Sequence, residues 1–414
     1  MKKSLLLLIL VTVGIITKAT DLIVEENGVL PSYNSITAAI AAASSGDRIF
    51  IKNKSGNLPW LENITISKSL DLLSFVNDSF FIVQGSVSIS PAANSTINII
   101  GMIDLVGSIS TTTVPTGNRS IVRILGGQFG ASGTSNLVFL NNNYDVTVQG
   151  CYLYNGFIEY EHGSIVGNTI VNATSYGIYA AAETSTTSDT SYIFGNKISN
   201  SYTNGYGIYW ASTTMFFDIR NNFVSSPFYG IYVSNTESNT TPVNKMYNNT
   251  VSILNSGTSP LYGINITGAS GSQIDVQNNV VDRNSAPNYT YYGIYAVNGS
   301  GGNMTVAYNY VDVSIGNPVS GTITVNQNNN TASTITLNAN GSTQSSVGLN
   351  GGNPGVQFYD TDLTINDAGC YGGSYTLNNF FPQFTGSTNT WLTNYQFNIR
   401  TGSTLSIKAN SYDK

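Results

Sequence analysis

Four groups of residues in this chain have the types and spacing for chemistry. The first is Glu159-Tyr160-Glu161-His162, which includes the only histidine. Two carboxylates two positions apart share one face of a strand. Such a pair can separate its pKa values and work as acid and base. No third acid in the neighbourhood completes a site, so a solvated strand edge is the favoured reading. The second group is Asp218, Arg220, Lys245 and Asp275. In parallel strands about 4.8 Å apart, Lys245 would reach both acids, with Arg220 and Gln277 two residues further along. A ladder of surface salt bridges is favoured over a catalytic site, each exposed pair contributing about 0–1 kcal/mol. The third group is Asp360, Asp362 and Asp367, acidic at near-alternating positions. It resembles a small loop for a structural Ca²⁺. It lacks the Gly and terminal Glu of an EF-hand. No other cofactor is expected. The fourth is a set of tyrosines, Tyr179, Tyr209, Tyr232 and Tyr295. As outward neighbours of inward isoleucines they would offer flat rings with polar tips to a sugar or a partner protein. They would equally stack on one another along a sheet.

These positions are set by a repeat. Asn168, Asn196, Asn222, Asn249, Asn279 and Asn309 recur at spacings of 28, 26, 27, 30 and 30 residues. An apolar residue lies three positions before and two positions after each. A period of this size signifies stacked structural units. Apolar residue, Asn turn and apolar residue read as strand, corner and strand. Stacked corners would let the amides hydrogen-bond along the stack. The motif Tyr-Gly-Ile-Tyr falls between successive corners, at 176–179, 206–209, 229–232 and 292–295, with the variant Tyr-Gly-Ile-Asn at 262–265. The gaps between the two motifs vary, as expected for strands in register joined by loops of unequal length. The apolar residues alternate rather than recur at helical spacing. Ile219, Val224, Val276 and Val281 are expected in the core.

At the start of the repeat, Ser35 can cap a short Ala-rich helix at about 35–44 that Gly46 ends, and a strand follows at 48–52. The helix would cover the open end of the first coil. It is followed by Glu62-Asn63-Ile64-Thr65-Ile66 and by Lys68-Ser69-Leu70-Asp71-Leu72. This run resembles the amino-terminal signature of the pectate-lyase-like right-handed parallel β-helix superfamily. The Asn corners and Gly-Ile-Tyr strands are similar to its generic repeats. The resemblance covers roughly residues 22–375 and implies an all-β solenoid of three-strand coils. The run Asp367-Ala368-Gly369-Cys370-Tyr371-Gly372-Gly373 resembles the closing segment of bacterial surface β-helix proteins, usually ending NDxGAYGG. Cys370 stands at the usual Ala, which implies a small buried side chain. The superfamily holds lyases, hydrolases, epimerases, adhesins and inert scaffolds. Its lyases need several acids converging on Ca²⁺ beside an Arg or Lys base. Its hydrolases carry Asn-Thr-Asp, paired Asp-Asp, Gly-His-Gly and Arg-Ile-Lys, and none of these four occurs here.

The chain has 414 residues, of which only 9% are charged, so Asn, Ser and Thr rather than ions must serve its turns. Residues 1–20 read as a secretory signal peptide, with Lys2 and Lys3 before an apolar stretch at 5–16 that is too short for an ordinary membrane span. The remainder, with 13 bases against 22 acids, carries a net charge of −9. That disfavours nucleic acid, whose binding rests on basic side chains. No later stretch approaches a membrane span. Cys151 and Cys370 are far apart in sequence, and two small buried thiols are favoured over a disulfide. Residues 21–375 are expected to form the β-helix. Residues 376–414 are expected to form a tail or partial β-module, with Phe380, Phe381 and Trp391 as anchors and a strand at 405–409. The resulting expectation is a secreted or cell-surface protein that binds or adheres to polysaccharide or a cell-surface glycan, without a recognisable catalytic site. A divergent polysaccharide lyase or glycoside hydrolase is the first alternative. A passive spacer of a surface assembly is the second.

Overall fold

The computed structural model is a right-handed parallel β-helix, all-β among the described residues apart from one short helix and three single 3₁₀ turns. It describes residues 19–381 outside the segments 77–78, 113–116, 141–142, 183–188, 239–240, 242, 255–259, 285–289, 298, 313–318, 321–324 and 344–345. In the tail it describes the strands Asn389–Asn394 and Lys408–Tyr412. Residues 1–18 of the expected signal peptide lie outside the described residues.

Each coil places one strand in each of three parallel sheets. One coil runs through Phe216–Arg220, Phe223–Ser226 and Tyr229–Val233, and the next begins with Asn244–Tyr247. These positions define the first, second and third sheets. Alternation along each strand sends one set of side chains into a continuous apolar core. Ile219, Val224, Val276 and Val281 have no exposed surface there, as the repeat predicts.

The six asparagines form one ladder at the corner between the first and second sheets. From Asn196 onward each Oδ1 accepts from the backbone N–H and the side-chain amide of the Asn one coil before, at 2.9–3.1 Å. Each Nδ2 also donates to a carbonyl of a preceding coil, as Asn222 does to Ile193 at 2.8 Å. A fully buried amide is thereby satisfied on both ends, which is the condition for burying it at all. Asn330 adds a seventh rung, and Cys151 stands at the other end with its N–H on Asn168 Oδ1 at 2.9 Å. The residue before each rung turns the corner with positive φ: Gly167, Gly195, Asn221, Asn248, Asn278, Tyr308 and Asn329. Gly and Asn dominate because they adopt the left-handed conformation at least cost.

The Gly of each Tyr-Gly-Ile motif packs directly against this corner's apolar partner. A Cβ on Gly207, Gly230 or Gly263 would lie 2.0–2.2 Å from Cγ1 of Val224, Val251 or Val281. Those valines are the residues two positions after the ladder Asn. The two repeated motifs are therefore the two sides of one contact across the core.

The amino-terminal end is closed by helix Ile36–Ala42, whose N-cap Ser35 accepts from Ala38 N–H at 3.1 Å. Ile36, Ala39 and Ile40 bury against the first coils. The helix stops at Ala42, short of Gly46, because the Ala43 cap already adopts extended backbone. At the other end the coils stop sooner than residue 375: the last coil strand is Thr331–Ala332. Beyond it the chain folds back as a strap along the outside of the second sheet and its Asn corner. Asn221 Nδ2 donates to the carbonyls of Cys370 and Gly372, and Asn248 Nδ2 to Asn366 Oδ1 and the Asp367 carbonyl. Phe380 covers Gly167 and Gly195, and Phe381 lies 4.0 Å beneath the Lys197 ammonium. Phe380 and Phe381 thus anchor the strap. The tail strands pair antiparallel as a short hairpin. Its second strand, Lys408–Tyr412, begins three residues after the predicted one at 405–409.

Candidate functional site

Tyr179, Tyr209, Tyr232 and Tyr295 share one face of the third sheet. Tyr179 pairs in register with Tyr209, Tyr209 with Tyr232, Tyr232 with Asn265 and Asn265 with Tyr295. All four rings are half-buried. A second column, not singled out from the sequence, runs beside them. It consists of Tyr176, Tyr206, Tyr229, Tyr262 and Tyr292, the first residues of the same motifs. The Gly that follows each of them points inward, so both flanking tyrosines emerge on the outside. That inward Gly is the sequence signal for the second column.

The rings stack on each other. Successive centroids are 4.9 and 5.1 Å apart along 179–209–232, and 5.0, 4.8 and 5.2 Å apart along 206–229–262–292. Interplanar angles along these contacts run from 2° to 22°. The columns also touch each other, as Tyr229 and Tyr232 do at 4.7 Å. Ring faces are thus largely occupied by other rings, and the ridge presents phenol edges and hydroxyls rather than the flat apolar platforms expected. Asn265 interrupts the outer column, and Tyr295 turns edge-on to Tyr262 and Tyr292. Burial, then neighbouring phenols, raises the hydroxyl pKa values of Tyr179, Tyr206, Tyr229 and Tyr262. Those four hydroxyls therefore stay protonated at neutral pH. Glu159 sits in register beside Tyr179, and burial raises its carboxyl pKa as well.

The charged column of the first sheet exists, but its pairing differs from the expected ladder. Asp218, Lys245 and Asp275 are in register. Asp218 instead pairs with Arg220, two residues along its own strand, accepting from guanidinium Nε and Nη2. Asp275 accepts from Tyr247 Oη and from Gln277 Nε2 at 2.6 Å. No ion pair to Lys245 forms among the described residues, because shorter, more buried donors already occupy both carboxylates. Arg220 is roofed by the rings of Tyr247 and Tyr375, 4.9 and 5.3 Å from its guanidinium carbon. The space beside it is about 20 Å³, room for a water rather than a sugar. The group anchors the strap.

His162 does not lie on a solvated edge. Its side chain is 11% exposed, with Nδ1 3.3 Å from Asp145 Oδ1 and Nε2 3.2 Å from Asp189 Oδ2. Arg119 Nη1 lies 2.9 Å from Nε2 and 2.7 Å from Asp189 Oδ2. Burial opposes the Asp189 charge, yet Arg119 and His162 hold that carboxyl below the usual range. The strand Ile158–Tyr160 ends before Glu161. Glu159 and Glu161 therefore do not share a strand face: Tyr160 buries its ring, and the chain turns at Glu161 into the next strand. Arg119, Asp145 and Asp189 are distant in sequence, and only coil stacking brings them to His162.

Asp360, Asp362 and Asp367 each accept from backbone N–H groups within the strap: Asp360 from Gly373 and Asp367, Asp362 from Thr364, and Asp367 from Asn350. Among the described residues no group of three or more His, Cys, Asp or Glu is placed to hold a metal ion. Cys151 and Cys370 are both buried thiols, and burial pushes each pKa up to about 12. Among the described residues no helix is long and apolar enough to cross a membrane. Scans of family models, curated proteins and solved structures found no match to this chain.

Proposed function

We propose that this chain is an exported binding protein, secreted or held at a cell surface, which recognises polysaccharide through the tyrosine ridge of its third sheet without a catalytic step. The observation that supports this most is the double column of half-buried tyrosines across five coils, with hydroxyl edges outward. Aromatic groups with polar tips suit a ligand that is apolar on one side and hydroxylated on another. Against a lyase or hydrolase stands the fate of the charged candidates. Arg220 and Asp218 are closed under the strap, and the three acids of the strap serve backbone caps.

The test is retention on a panel of plant, algal and host polysaccharides, with a parallel assay for new reducing or unsaturated ends. Tyr209→Phe with Tyr232→Phe keeps the stack and removes two hydroxyls. It should weaken retention at least severalfold with little change in melting. Release of new ends would refute the non-catalytic reading. A rigid spacer is the second reading, favoured by rings that satisfy one another. Retention on no polysaccharide would establish it over the first.

A further inference from the structure

We infer that the polymer recognised by the ridge is uncharged, a neutral glycan lying extended along the solenoid axis. This inference rests on the binding function proposed above and concerns which class of polysaccharide fits.

The argument begins with the distribution of charge. The outward column of the third sheet, from Thr65 to Ser320, contains a single Asp, Glu, Lys or Arg, which is Glu159. The stretches 198–217, 221–236 and 246–274 include the central tyrosine strands Tyr206–Trp210, Tyr229–Val233 and Leu261–Thr267, and the first charged residue after 236 is an acid, Glu237. They contain no Asp, Glu, Lys or Arg at all. In a chain of net charge −6, so complete a gap leaves nothing to pair with a carboxylated or sulfated sugar. An acidic polymer would lose the water around its charges and meet Glu159 at one end of the ridge. Burying an unpaired charge is costly, whereas a hydroxyl needs only one hydrogen-bond partner. A base at the flank, Arg283, lies over the Tyr291 ring at 5.6 Å, where the acids Asp282 and Asp312 also act on that ring.

Spacing makes the second argument. Phenol rings repeat every 4.8–5.2 Å along the axis, a step comparable with the advance of one sugar ring in an extended chain. Five coils give a run of about 20 Å at ~4.8 Å per strand. Several successive sugar rings would therefore meet equivalent phenol edges.

The experiment is affinity electrophoresis of the full secreted chain through gels holding xylan, a mixed-linkage β-glucan, polygalacturonate or alginate. Each gel is run at low salt and at about 0.5 M NaCl, where surface charge attraction is largely screened. The expected result is retardation by a neutral polymer, changed less than twofold by salt and lost in Tyr209→Phe/Tyr232→Phe. Retardation by polygalacturonate or alginate that salt abolishes would overturn the neutral-glycan inference and leave polysaccharide binding intact. Retardation by a neutral polymer that the tyrosine variant leaves unchanged would place the site elsewhere and overturn it too. Retardation by none of the four, together with no retention on the wider panel, would remove the binding function itself.

Discussion

Replacing Asn249 by Ala removes a side chain that makes four hydrogen bonds inside a dry corner. Its Oδ1 accepts from Asn222 N–H and Nδ2 at 3.1 and 2.9 Å. Its Nδ2 donates to the Ile219 carbonyl at 3.0 Å and to Asn279 Oδ1 at 2.9 Å. Asn279 Oδ1 keeps the backbone N–H of residue 249, and Asn222 Nδ2 keeps Ile193. The Asn222 N–H loses the partner on Asn249 and stays buried. At roughly 0.5–1.5 kcal/mol for each of the four bonds, with a further 1–3 for a buried orphan donor, the cost is about 3–9 kcal/mol. That is a large part of an ordinary total stability of about 5–15 kcal/mol. Asn330 offers the control. It closes the ladder in a half-exposed position with three bonds, to Asn309 N–H and Nδ2 and to the Val306 carbonyl. Water can replace them, so Asn330→Ala should cost about 1–2 kcal/mol. Urea unfolding followed by far-ultraviolet circular dichroism measures both, and hydrogen exchange at Asn222 reports the orphaned donor directly. Because the strands of each coil pair only with those of its neighbours, Asn249→Ala should also broaden or split the transition. Equal costs for the two variants, or under about 1 kcal/mol for Asn249→Ala, would refute the ladder as a source of stability.

Gly230→Ala should destabilise by at least about 1–3 kcal/mol, since its Cβ would meet Val251 Cγ1 at 2.1 Å and the Gly263 carbonyl at 2.5 Å in a core with no slack. Gly230→Ala combined with Val251→Ala should recover part of that loss in a thermal melt. Phe380→Ala should loosen the strap without unfolding the coils, read as faster proteolysis within residues 341–381 at unchanged far-ultraviolet dichroism. Burial raises the carboxyl pKa values of Asp104 and Asp282 from an ordinary 3.8 to about 6, and Asp104 Oδ2 has no hydrogen-bond partner. The folded state therefore holds protons that the unfolded chain releases. The stability this confers is full below about pH 4 and is lost as pH rises through about 6, on the order of 2 kcal/mol for each group. Melting temperature should fall over that window, and Asp104→Asn should flatten the fall. A melting temperature that rises steadily from pH 4 to pH 7, with a slope Asp104→Asn leaves unaltered, would contradict it.

The architecture was legible because it repeats. A ladder Asn needs identical neighbours above and below, so one residue type had to recur at every coil, and the recurrence shows before any strand is assigned. The Tyr-Gly-Ile register followed for the same reason, while the capping helix was legible from its Ser35 cap and Ala-rich run. What the sequence alone determined is therefore the coil: which residues point inward, where the chain turns and which columns stack. Tertiary structure decided what those columns meet. The second tyrosine column depends on the Gly turning inward against Val224, Val251 and Val281. The mutual stacking depends on ring orientation, which period-two alternation does not specify. Arg220 chose Asp218 over a lysine ladder because the strap, carrying Tyr375, closes over it from about 150 positions away. His162 meets Arg119, Asp145 and Asp189 across successive coils for a like reason. Within a coil, contacts follow sequence spacing. Between the coils and the strap, no spacing encodes which residues meet, and the solenoid's shape determines them.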